Sequence, residues 1–120
     1  MQITELSGSR FDLALERMIE GYSFTFQDIG FCLSGDGMLD ISVGSSWAFD
    51  NITTEKAVAD LRRAQSVYDI LRASPAFARS VGNSVPQFIL IYDTGNGAVE
   101  LGRLVGQHIV WAKGFRPTDV

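Results

Sequence analysis

The chain predicts an α+β fold, with two to three helices packed on a mainly antiparallel five-stranded sheet. Two segments carry apolar residues at helical spacing, around 10–20 and 53–71. Alternating apolar segments precede and follow the second of them, and Asp36-Gly37, Asn96-Gly97 and Gly106-Gln107 fall between those segments as turn signals. This order, α-β-β-α-α-β-β-β, places runs of strands beside helices without the regular strand–helix alternation of a parallel sheet. With 120 residues, 46% hydrophobic and 20% charged, the chain has the length and balance of one globular domain, read as 1–120.

The first helix is expected from Arg10 to Glu20. Phe11, Leu15, Met18 and Tyr22 recur on one face with Ile19 beside them, opposite Asp12, Glu16 and Glu20. Ser9 and Asp12 have the spacing of a capping box, and Gly21 suits the left-handed residue after a helix. Tyr22, Phe24 and Phe26 then alternate, and Ile29, Phe31 and Leu33 alternate in the opposite phase, so a bulge or bend is expected near Gln27-Asp28. Ser34-Gly35-Asp36-Gly37 turns this strand into another, carrying Leu39, Ile41 and Val43.

An aromatic loop with Trp47 and Phe49 leads to the long helix, for which Thr53 is the expected N-cap and Glu55 faces the positive end of the dipole. Ala57, Leu61, Ala64, Tyr68 and Leu71 form its stripe, with Val67 and Ile70 on the flank. Ser74-Pro75 restarts a short helix that holds Phe77 and Val81 and stops at Gly82. The last third reads as a three-stranded meander. Pro86 opens its first strand or marks an edge, Asn96-Gly97 suits a type I′ turn, and Gly106-Gln107 suits type II′. The tail from Phe115 to Val120 reads as frayed.

Composition narrows the function classes. Asp and Glu outnumber Lys and Arg by 14 to 10, and no basic face is written in the chain. Phosphate neutralisation needs one, so nucleic acid is not an expected partner; Arg62 and Arg63 sit among Lys56, Asp60 and Asp69 as a mixed-charge face. The longest apolar run, Phe88 to Tyr92, is too short to span a bilayer, and the N-terminus lacks the pattern of a signal peptide. Cys32 is the single cysteine, so no internal disulfide is available. A soluble, cytoplasmic protein is the expectation.

Catalytic signals are sparse. Asp93-Thr94-Gly95 at the end of an apolar strand resembles an aspartic-protease loop, but Tyr92 and Asn96 depart from that pattern, and a polar hairpin turn is the better reading. His108 is the single histidine. As a general base it needs an orienting carboxylate, for which Glu100 on the neighbouring strand is the candidate. One His, one Cys and dispersed acids do not compose a metal site, and neither G-x-G pair completes a phosphate loop, so no cofactor is expected. Cys32 shares its strand with Phe31 and Leu33 but points to the other face, as a small inert residue.

The segment Gly30-Phe-Cys-Leu-Ser-Gly-Asp-Gly-Met38, an apolar strand running into an Asp-Gly turn, resembles the first hairpin of the Roadblock/LC7 (profilin-like) family. The helix that follows it and the meander from Phe88 to Trp111 extend the likeness over most of the chain. It departs in having an extra short helix and no helix after the last strand. The resemblance implies a small non-enzymatic dimer serving as a scaffold or regulator, with no catalytic residues. The leading expectation is therefore a protein-interaction or regulatory module that self-associates or binds a protein partner. Val67, Ile70, Phe77, Val81, Trp47 and Phe49 are its candidate contact residues. The alternative is a small-ligand binder or minor enzyme with a pocket between helix and sheet, using His108 or Asp93.

Overall fold

The computed structural model describes residues 2–3 and 5–119. Its strands and helices run β1 (Gln2–Ile3), α1 (Ser9–Ile19), β2 (Phe24–Phe26), β3 (Ile29–Leu33), β4 (Met38–Gly44), α2 (Thr54–Arg72), α3 (Pro75–Val81), β5 (Val85–Asp93), β6 (Ala98–Val105) and β7 (His108–Trp111). A short 3-10 turn, Phe49–Asn51, precedes α2.

The α+β class holds, but the sheet is mixed and has more strands than the five expected. Its spatial order follows the chain, β1 to β7. Neighbours are antiparallel except at β4–β5, which pair in parallel from Met38–Val85 to Gly44–Ile91, and at the two-residue β1 beside β2. A parallel pair requires the chain to return to its starting end. The 19 residues of α2 span about 28 Å at the helical rise, enough to carry it back.

Of the two extra strands, one is the two-residue β1 and the other comes from the segment read as one bent strand. Phe26 pairs with Ile29 across Gln27 and Asp28, whose φ values are 49° and 64°. Both central residues of a type I′ turn need such left-handed values. The reversal of apolar phase thus marks a hairpin, because residues i and i+3 around a two-residue turn face the same side.

All three helices lie on one face. α1 packs on β2 and β3, α2 on β4 and β5, and α3 joins the two. Phe11, Ala14, Leu15 and Met18 from α1 and Ala57, Leu61, Ala64, Val67 and Leu71 from α2 are buried against Phe24, Phe26, Phe31, Leu39, Ile41, Val43 and Leu90. At the centre Phe77 of α3 meets the rings of Phe24, Phe31 and Tyr68 at 6.0–6.4 Å, each near perpendicular. Ile19 and Tyr22, placed on the apolar face of the first helix, are exposed, and Arg17 lies over the Tyr22 ring.

Helix ends agree with local chemistry in two cases of three. Thr53 Oγ1 accepts from the Lys56 N–H, and Ser74 Oγ accepts from the Phe77 N–H ahead of Pro75. The capping box at Ser9 does not form: Ser9 is already helical, and Gly8 occupies the N-cap without a side-chain bond. Pro86 is the second residue of β5, and β6 joins β5 only from Ile89 onward, so its missing N–H costs no pairing on that side.

Asn96-Gly97 does not make a two-residue turn. Asp93 pairs with Ala98 around a four-residue loop, with Gly95 and Gly97 at positive φ. Gly106-Gln107 does form a two-residue loop, closed by Val105 and His108. The tail is docked instead of frayed. Pro117 is buried, the Thr118 N–H donates to Ile52 O at 2.7 Å, and the Asp119 carboxylate accepts from Thr54 N–H at the start of α2. Val120 lies outside the described residues.

Candidate functional site

The helices do not reach the far end of the sheet, and that shortfall shapes the surface. Past β5, Leu101 still reaches the core, but the helix-facing side chains Leu104, Ile109 and Trp111 are only half-buried. The loop 45–53 and the docked tail close over one end of this region.

The loop is held by a buried acid. Asp60 of α2, 5% exposed, accepts from the Ser46 N–H at 3.1 Å and the Ser46 hydroxyl at 2.8 Å, with Arg63 at 4.0 Å. Sequence reading placed Asp60 on a solvated mixed-charge face. It turns inward because Ser46 presents two donors where the carboxylate would otherwise lack partners. Ser45 Oγ accepts from Trp47 N–H, and Lys56 Nζ donates to Asn51 O while lying 4.2 Å over the Trp47 ring. The loop backbone is therefore tied to α2 on both sides of Trp47.

This anchoring presents an aromatic cap. Phe49 meets Tyr92 at 5.2 Å and Phe115 at 5.4 Å, both edge to face, and Phe115 meets Trp111 at 5.4 Å. Phe49 and Trp47 remain 45% and 44% exposed. Tyr92, Phe115 and Trp111 were not among the candidate contact residues. Their shared location depends on pairing β5, β6 and β7 in register and on the tail folding back, neither of which a local pattern reveals.

The other candidate contact residues divide. Val67, Phe77 and Val81 are 4%, 0% and 3% exposed, so they serve the core of this chain and offer no surface. The correction has a geometric cause for Phe77 and Val81: α3 packs against both α1 and α2 and buries these two side chains, while Val67 is one of the buried residues of α2 itself. Ile70 is 45% exposed, but its helical neighbours Arg63, Ser66 and Ala73 are exposed and small or polar. A solitary exposed aliphatic is ordinary on a protein surface.

The catalytic candidates are not brought together. Asp93 accepts from the Gly95 N–H at 2.8 Å, and Thr94 bonds Gly97 O through both its N–H and its hydroxyl. That is a turn residue using its carboxylate locally. His108 is exposed at the opposite end of β6, about 23 Å away along a strand of that length. Glu100 does not orient it. Both Glu100 oxygens accept from Arg103, Oε2 from Nε at 2.9 Å and Oε1 from Nη2 at 2.7 Å.

Arg103 continues across the helix-free face, donating to Gln87 Oε1 at 2.7 Å, and Gln87 Nε2 donates to Asp40 Oδ1 at 3.1 Å. The chain Asp40–Gln87–Arg103–Glu100 thus crosses β4, β5 and β6. The Arg103 hydrogen bonds hold the Glu100 carboxyl below its ordinary range, against a smaller opposing effect of burial. The same bonds raise Arg103. Half-buried Cys32 and Ser42 share this face, with Ile89 only 8% exposed among them.

A separate cleft of about 270 Å³ opens between α2 and the β6–β7 turn, lined by Val58, Arg62, Gln65, Leu104, Gly106 and Gln107. Neither Asp93 nor His108 lines it. No group of three His, Cys, Asp or Glu residues among the described residues is placed to hold a metal ion. No helix among them is long and apolar enough to cross a membrane.

The class this geometry defines is an α+β domain with a mixed sheet, one helix-covered face and an aromatic cap on an anchored loop. Comparison with protein-family models, with curated proteins and with solved structures found no match to the chain.

Proposed function

We propose that the chain is a non-enzymatic protein-interaction module that self-associates through the aromatic cap formed by Trp47, Phe49, Tyr92 and Phe115. The observation that carries this reading is the combination of exposure and anchoring. Phe49 and Trp47 are nearly half exposed, yet their loop is fixed by hydrogen bonds from Ser46 to the buried Asp60 and by Lys56. Aromatic side chains that are already ordered lose little conformational freedom on contact and dominate the energy of many interfaces. Symmetric dimers use one self-complementary patch twice, and a compact cap suits that arrangement. The resemblance of the first hairpin to the Roadblock/LC7 family, whose members are small dimers, supports the same reading. Three strands stand between α1 and α2 in this chain, one more than the single hairpin of that resemblance.

Sedimentation equilibrium across the micromolar range tests the proposal. The expected result is a concentration-dependent dimer for the parent chain and a monomer for Phe49→Ser, with an unchanged far-UV spectrum. A parent chain that stays monomeric, or a Phe49→Ser variant that dimerises equally well, overturns self-association through the cap.

A further inference from the structure

The cleft between α2 and the β6–β7 turn is a consequence of the sheet outrunning its helices. Val58, Arg62 and Gln65 recur at helical spacing along one side of α2, and Leu104 with the Gly106-Gln107 turn makes the facing wall. Arg62 is the one charged residue in the lining. It takes part in no ion pair or hydrogen bond among the described residues, whereas Arg63 beside it lies against Asp60. Gln65 and Gln107 each bring an amide that both donates and accepts, and Val58 and Leu104 supply apolar surface.

We propose that this cleft binds a small organic monocarboxylate, with the oxyanion at Arg62 and the hydrocarbon portion against Leu104 and Val58. The charge follows from the lining, since a cation without a protein counter-ion faces a space that holds no acid. The planar guanidinium fork matches a carboxylate in two parallel hydrogen bonds. A single cation favours a monoanion over a phosphate dianion, and the apolar wall favours a hydrocarbon body over an inorganic ion. The volume, about 270 Å³, lies near the lower end of ligand pockets and suits one small molecule. This site is separate from the aromatic cap, so it stands or falls independently of self-association.

Amide NMR titration of the full chain with benzoate, and with benzamide as its uncharged counterpart, is the test. Benzoate should shift Gln65, Leu104, Gly106 and Gln107 saturably, and benzamide should bind more weakly. Arg62→Gln should weaken benzoate by about tenfold or more, the loss expected for one charge-assisted pair. Its melting temperature should not change, because Arg62 is exposed and has no hydrogen-bond or ion-pair partner among the described residues. Arg62→Lys, which keeps the charge and loses the fork, should fall between the two. Shifts that scatter over the surface, fail to saturate, or persist equally in Arg62→Gln overturn the proposal.

Discussion

From β2 to β5 most helix-facing side chains end in a closed core that reaches as far as Leu101 of β6, while Leu104 at the end of β6 and Ile109 and Trp111 of β7 keep contact with solvent. The same sheet is thus stabilised in two ways. Beneath the helices, burial of Phe24, Phe31, Leu39, Ile41 and Leu90 dominates, at roughly 1.5–3 kcal/mol for each large side chain. Beyond them, stability rests on strand pairing, ring contacts among Phe49, Tyr92, Trp111 and Phe115, and the Glu100–Arg103 pair. The first kind resists small perturbations but collapses when a central side chain is lost. The second is spread over many weaker contacts and leaves surface free for binding.

The sharpest way to break the covered half is Phe77→Ala, which removes the ring shared by Phe24, Phe31 and Tyr68. A loss of about 3–5 kcal/mol is expected in urea unfolding, and Leu61→Ala should cost about 2–5 kcal/mol. A melt like that of the parent would remove α3 from the centre of the core. In the open half the largest expected effect comes from adding atoms. A Cβ at Gly102 would lie 3.0 Å from Ile109 Cγ2 and Val110 O and 3.1 Å from Trp111 Cε3. Gly102→Ala should therefore cost about 1–3 kcal/mol, and a neutral result would mean that β7 is loosely seated.

Glu100→Gln probes the polar chain on the helix-free face and should cost less than about 1 kcal/mol at neutral pH, because both partners are more than a third exposed. Its pH dependence is more informative than its size. The folded-state pKa of Glu100 is depressed, so its contribution is present above the ordinary glutamate range and is lost as pH falls through the lowered value. Melts of parent and variant should differ at neutral pH and converge in acid; a constant gap would dissociate the effect from this carboxylate. The smallest effect belongs to Gln27→Gly. Relief of the left-handed conformation at φ 49°, reduced by the greater freedom of glycine in the unfolded chain, should stabilise by about 0.5 kcal/mol. Destabilisation there would mean that the Gln27 side chain contributes more than its backbone costs.

What was legible in the sequence is what is decided locally. Thr53 caps the helix it was expected to cap, the short helix restarts at Ser74-Pro75, and Leu39, Ile41 and Val43 alternate into the core. The hairpin at Gln27-Asp28 was misread because neither residue advertises positive φ as Asn-Gly does, although the change of phase was visible. The parallel joint between β4 and β5 and the resulting strand order depend on where a long crossover lands, which no short window contains. Asp60 was misplaced because its partner Ser46 lies outside the helix, and the tail because its contacts are with Ile52, Asp50 and Thr54 far upstream. Of the surface candidates, Trp47 and Phe49 are exposed in an aromatic loop, whereas Phe77 and Val81 show that an apolar residue on a short helix is equally suited to core and interface.

The parallel joint also has a kinetic meaning. The turns that join β2, β3 and β4, and those that join β5, β6 and β7, are only a few residues long, so each three-stranded unit can form from near neighbours. Bringing β4 to β5 closes residues 45 to 84, a loop roughly ten times longer, at an entropic cost of about 2 kcal/mol beyond that of a hairpin turn. The search for that contact is the step expected to limit folding, with two preformed meanders awaiting a seam. Side chains of α2 and α3 that span the seam then act on the folding rate, whereas those at the outer edge of β7 act on how quickly the finished sheet unravels.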